Sequence, residues 1–110
     1  MTTKSVIYAR VSTDEQAAKG YSLPTQIEAC RKYAQEKGFQ IVGEFADDIT
    51  GVKLDRPKLD EMRELIARDS VKAVIVYDLD RLSRKAIHQF LLEEEFVKRG
   101  AEVHYVLGTV

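Results

Sequence analysis

Short runs of β-branched and aromatic residues alternate along this chain with amphipathic stripes, and that alternation leaves few folds open. Ser5–Val11, Gln40–Phe45, Ala73–Tyr77 and Glu102–Leu107 read as four strands. Between the first two, Leu23, Ile27, Cys30 and Ala34 recur at helical spacing, with Ser22 placed to cap, Pro24 in the first turn and Gly38 suited to a left-handed end. Leu59, Met62, Leu65 and Ile66 form a second stripe opened by Pro57, and Ile87, Phe90, Leu91 and Val97 a third ended by Gly100. The order βαβαβαβ predicts an α/β fold with a largely parallel sheet covered on both faces, because each right-handed crossover lays its helix against the sheet.

A chain of 110 residues fits one core. Its hydrophobic share of 45% is too high for a disordered tail, and no apolar run is long enough to span a bilayer. The N-terminus enters the first strand without the features of a secretory signal, and Cys30 has no second cysteine to pair with, so a reducing cytoplasm is the expected setting and Cys30 a core residue. Seventeen basic and eighteen acidic residues leave a formal charge of -1, which gives no global attraction for a polyanion. Any DNA contact must therefore come from locally clustered arginines.

In open parallel sheets the working residues lie beyond the carboxyl ends of the strands, which directs attention to Ser12–Tyr21, Ala46–Arg56 and Asp78–Arg84. All three are polar, and the first two are long for connections in a small α/β domain. Arg10 and Ser12, two apart on an extended chain, can present a hydroxyl beside a fixed positive charge, although an isolated Arg-x-Ser is more often a turn residue beside an edge side chain. The third segment adds Asp80, Arg81 and Arg84, and the middle one Arg56 before a helix. Four arginines can then converge, and guanidinium groups stabilise the charge on a phosphoryl group under attack through bidentate hydrogen bonds. The plainer alternative is a solvated, salt-bridged face in which Asp80 is only an ion-pair partner. His88 and His104 fall outside these segments, which argues against a Ser-His-Asp triad and makes both structural. No His, Cys or carboxylate grouping has zinc spacing.

The segment Tyr8-Ala9-Arg10-Val11-Ser12-Thr13 followed by Gln16, and later Asp80-Arg81-Leu82-Ser83-Arg84, resembles the serine recombinases, which include resolvases, DNA invertases and large integrases. Gln26 within Gly-Tyr-Ser-Leu-Pro-Thr-Gln, and Thr50-Gly51 to Asp55-Arg56-Pro57, extend the resemblance over nearly the whole chain. It implies a three-layer, resolvase-like fold with four to five strands. It also implies a serine, here Ser12, that becomes joined to a 5′ DNA phosphate and releases a 3′ hydroxyl without metal or cofactor. Arg10, Arg56, Arg81 and Arg84 would surround the scissile phosphate, and Asp80 would orient an arginine or handle a proton. Tyr8, Gln16 and Gln26 would be supporting or phosphate-binding residues. A homodimer assembling to a tetramer on specific DNA sites is implied, with residues 1–110 forming the catalytic domain, cut short before a long dimerisation helix and a DNA-binding domain. A fragment of that kind is not expected to act alone.

Two other readings stand beside this one. Asp78-Leu79-Asp80 after a strand resembles the Asp-x-Asp of haloacid-dehalogenase-like phosphatases, which use magnesium, but Arg81 beside the metal position would repel the cation. The third is a noncatalytic self-association or regulatory module.

Overall fold

A computed structural model describes residues 2–12, 22–49, 56–78, 81–83 and 85–107, the side chains of residues 12 and 49 excepted. The elements follow the predicted order: β1 (Lys4–Ser12), α1 (Leu23–Lys37), β2 (Gln40–Ile49), α2 (Pro57–Asp69), β3 (Ala73–Val76), α3 (Ala86–Lys98) and β4 (Glu102–Tyr105). The four strands form one parallel sheet in the order β2-β1-β3-β4. From β1 the chain moves outward to β2, then crosses back over β1 to β3. With right-handed crossovers, that reversal sends α1 to one face and α2 and α3 to the other.

Two apolar clusters record the three layers. Ile7 and Ile75 pack on one side with Cys30 and Ala34 of α1, whereas Val6, Tyr8, Val74 and Val76 face Leu59, Met62 and Ile66 of α2 and Phe96 of α3. The central strands are buried on both faces, which is why β1 and β3 read as nearly continuous apolar runs rather than alternating ones. Cys30 lies in the core as expected.

The helix ends use the residues the sequence offers. Ser22 caps α1 by accepting from the Thr25 amide at 3.3 Å, and Gly38 closes it in the left-handed conformation at φ 74°. In β2 the register slips by one residue between Ile41 and Gly43, opposite Ser5 and Val6. A Cβ at Gly43 would lie 2.7 Å from the Phe45 ring and 3.1 Å from Leu65, so a bare backbone here lets α2 settle onto the strand.

Four expectations need correction. The first strand runs on to Ser12, so that residue ends a strand instead of opening a loop. Similarly, β2 continues through Ala46, Asp47, Asp48 and Ile49, a stretch expected to be a loop because aspartate disfavours strands. Its pairing with Ala9–Ser12 overrides that local preference. Conversely, Tyr77, Val106 and Leu107 lie in bends beyond the shorter strands β3 and β4.

The fourth correction concerns α3, whose expected core stripe faces outward: Ile87, Phe90, Leu91 and Val97 are 56–62% exposed. The face turned to the sheet carries Gln89, Leu92, Glu93 and Phe96, spaced as i, i+3, i+4 and i+7. Gln89 donates to Tyr105 Oη at 3.2 Å, and that hydroxyl donates to Glu93, so the two polar side chains on the inner face are satisfied by β4. Apolar periodicity selected the more hydrophobic face, while the mixed face had the hydrogen-bond partners.

The two phenylalanines of α3 should therefore differ sharply. Phe96→Ala should destabilise the domain by about 3–5 kcal/mol, and Phe90→Ala should stay within about 0.5 kcal/mol of the native chain. Urea denaturation of both variants checks the assignment, and equal losses would contradict it.

Candidate functional site

From the carboxyl ends of β1 and β3 the chain leaves in opposite directions along the sheet, toward β2 and toward β4, the switch point beside which open parallel sheets carry their sites. Tyr8 and Arg10 come from β1, Asp47 from β2, Arg56 from the start of α2, and Asp78 and Arg81 from the turn after β3. Gln26 reaches the same place from α1.

Asp47 organises one half of the site. It lies opposite Arg10 in the β1–β2 ladder and is buried. Its Oδ1 accepts the Lys58 amide and its Oδ2 the Leu59 amide, both at 3.0 Å. Helix α2 begins Arg56-Pro57, without a side-chain cap of its own, so a carboxylate from a neighbouring strand caps it. Oδ2 also accepts the Tyr8 hydroxyl at 2.8 Å. Relieved of capping, Arg56 turns to the sheet: its Nε and Nη2 donate to Tyr8 Oη at 3.2 and 3.1 Å, and its guanidinium lies 5.3 Å from the centre of the Tyr8 ring. Burial raises the Tyr8 phenol well above its ordinary value; Arg56 pulls it down and the hydrogen bond to Asp47 adds to the rise. The hydroxyl thus stays protonated and donates to Asp47.

The other half is an exchange between two arginines. Arg10 Nε donates to the Arg81 carbonyl at 3.2 Å, and Arg81 Nη1 donates to the Arg10 carbonyl at 2.6 Å. Arg56 Nη2 shares the Arg81 carbonyl at 3.2 Å. Arg81 is 1% exposed and also donates from Nε to Asp78 Oδ1 at 2.9 Å. Gln26 donates to the Arg10 carbonyl at 3.0 Å and accepts the Arg10 amide at 3.3 Å.

Five of the nine expected site residues, Tyr8, Arg10, Gln26, Arg56 and Arg81, thus meet in one network. The backbone of Ser12 sits two residues past Arg10 at the end of β1. The Ser12 side chain, and Gln16, Asp80 and Arg84 entirely, lie outside the described residues. His88 is exposed on α3, and His104 is bonded to Tyr33 Oη at 2.8 Å, both away from this network. Asp47 was missed. The signal that could have found it is the capless Arg56-Pro57 start, which requires a carboxylate or hydroxyl from elsewhere.

The family model described as resolvase, N terminal domain, matches residues 5–108. The chain belongs to the resolvase N-terminal domain family. This resolvase domain is 45% identical over 103 residues to a putative DNA recombinase of Bacillus subtilis (strain 168), covering 93% of this chain and 20% of that protein. It is 42% identical over 89 residues to the transposon Tn917 resolvase of Enterococcus faecalis, covering 81% of this chain and 41% of the relative. The resolvase domain therefore spans less than half the length of these curated relatives. Among solved structures, the N-terminal catalytic domain of TP901-1 integrase superposes with a TM-score of 0.81 at 35% identity, over 94% of this chain and 78% of the other. The fold is thus the resolvase-like α/β fold expected from the sequence.

If Asp47 joins strand, helix and arginine as its contacts indicate, Asp47→Ala should cost about 3 kcal/mol, combining a lost helix cap with a buried hydroxyl left without its acceptor. Chemical denaturation measures this. A loss below about 1 kcal/mol would mean that water replaces the carboxylate.

Proposed function

We propose that this chain is the catalytic domain of a serine-type site-specific DNA recombinase, with Ser12 as the nucleophile. The observation that carries the reading is the convergence of Arg10, Arg56 and Arg81 at the end of β1, two residues before a serine, in a chain of the resolvase family. Three guanidiniums gathered in one place in a chain of formal charge -1 support the reading, because an anionic phosphate is drawn to local rather than global positive charge. Fixed cations of this kind stabilise charge developing on a phosphoryl group without a metal ion.

In the proposed reaction the Ser12 hydroxyl attacks a DNA phosphodiester, forms a 5′-phosphoserine and expels the 3′ oxygen, which leaves with a proton as a free hydroxyl. The phosphoester bond is exchanged rather than hydrolysed, so reversal by a new 3′ hydroxyl rejoins the strands. Arg10, Arg56, Arg81 and Arg84 act on the scissile phosphate, Asp80 orients an arginine or relays the proton, and Tyr8, Gln16 and Gln26 support the site. The partners are specific DNA sites and further copies of the chain, a dimer that assembles to a tetramer, in the cytoplasm. Residues 1–110 serve as the catalytic part of a longer recombinase. The pairing of Asp78 with Arg81 favours this reading over a magnesium phosphatase, since the carboxylate such an enzyme would use faces a guanidinium.

The test joins the chain to a sequence-specific DNA-binding module and supplies nicked site DNA in the presence of a chelator. A protein–DNA adduct mapped to Ser12 by mass spectrometry, and absent from Ser12→Ala, is the expected result. Cleavage by Ser12→Ala would overturn the assignment, and cleavage abolished by the chelator would return the phosphatase to contention.

A further inference from the structure

The two sides of β1 end at different heights. Against β2 the ladder continues to the pair Ser12 and Ile49, whereas against β3 it stops at Tyr8 and Val76 because β3 itself ends there. Past Tyr8, the segment that leads to Ser12 has a strand neighbour on one side only. A buried backbone N–H or C=O on the open side needs another partner.

For Arg10 that partner is a side chain. The Gln26 carboxamide accepts the Arg10 amide at 3.3 Å and donates to the Arg10 carbonyl at 3.0 Å, the two contacts that successive peptides of a neighbouring strand would make. Gln26 is fully buried. The same carbonyl takes a second donor, Arg81 Nη1 at 2.6 Å, so its two acceptor positions are both used by side chains. In effect a glutamine from α1 supplies the rung that β3 is too short to provide. It holds the peptide two residues before Ser12, and displacements of about 1 Å at a reacting atom can cost about a hundredfold in rate.

We propose that Gln26 is a positioning residue that works through the Arg10 peptide, fixing the course of β1 toward Ser12, and is not a ligand of the DNA phosphate. This rests on the assignment of Ser12 as nucleophile. Gln26→Met keeps the length and bulk of the side chain and removes both hydrogen bonds. Gln26→Glu keeps an acceptor always and a matching O–H donor only when its carboxyl is protonated.

Both variants are compared with the native sequence in the fusion described above, for adduct formation at saturating site DNA and for DNA affinity. Amide exchange at Arg10 is followed in the 110-residue chain. Gln26→Met should slow adduct formation on the order of tenfold or more, leave affinity within about twofold, and speed exchange at the Arg10 amide. The rate of Gln26→Glu relative to native should rise as pH falls, a response that a purely space-filling role would not produce.

Native adduct rates in Gln26→Met, or a loss confined to DNA affinity, would overturn the proposal. Should Gln26→Met fail to fold, Gln26→Glu decides: a ratio to native that is flat with pH overturns it equally. A native fusion that makes no Ser12 adduct counts instead against the recombinase reading, while exchange at Arg10 still reports whether the rung exists.

Discussion

The long parallel ladder between β1 and β2 is the constraint on which the rest of this domain depends. By running past the end of β3, it brings Asp47 level with Arg10 and carries the backbone out to Ser12. From that position a single carboxylate caps α2, fixes the Tyr8 hydroxyl and leaves Arg56, the residue at the helix start, to reach Tyr8 and the Arg81 carbonyl. A helix that supplied its own cap would have needed a short polar residue where Arg56 now stands.

Burying arginines is costly unless every donor finds an acceptor and the charge a counterpart. This domain meets the requirement largely with main-chain carbonyls. The Arg81 carbonyl receives Arg10 and Arg56, the Arg10 carbonyl receives Arg81 and Gln26, and Asp78 supplies a carboxylate. Carbonyl oxygens hold a guanidinium in place without cancelling its charge as a carboxylate would.

Much of this was legible in the sequence, for identifiable reasons. The strands β1 and β3 announce themselves because they are buried on both faces, and Ser22, Pro24, Pro57 and Gly38 mark helix ends because each suits one backbone position. The arginines could be grouped because the fold places the ends of parallel strands together. What escaped notice depended on long-range partners. Asp47 sits in a run that disfavours strand locally and is held there by residues of β1; the inner face of α3 looked polar because Tyr105, which satisfies it, lies on another element. Hydrophobic periodicity registers how apolar a face is, and carries no information about where its polar atoms will find partners.

The central position of β1 also bears on how the domain comes into being. The first strand made pairs with partners far along the chain: β2 begins at Gln40 and β3 at Ala73, and the arginine exchange awaits Arg81. Contacts so distant along the chain carry loop-closure entropy before they yield any packing, which makes such topologies slow to nucleate. During synthesis on a ribosome, β1 therefore lacks its second strand neighbour until β3 emerges. The arginine cluster is assembled only after residue 81 has been made, so a partly made chain holds its members apart.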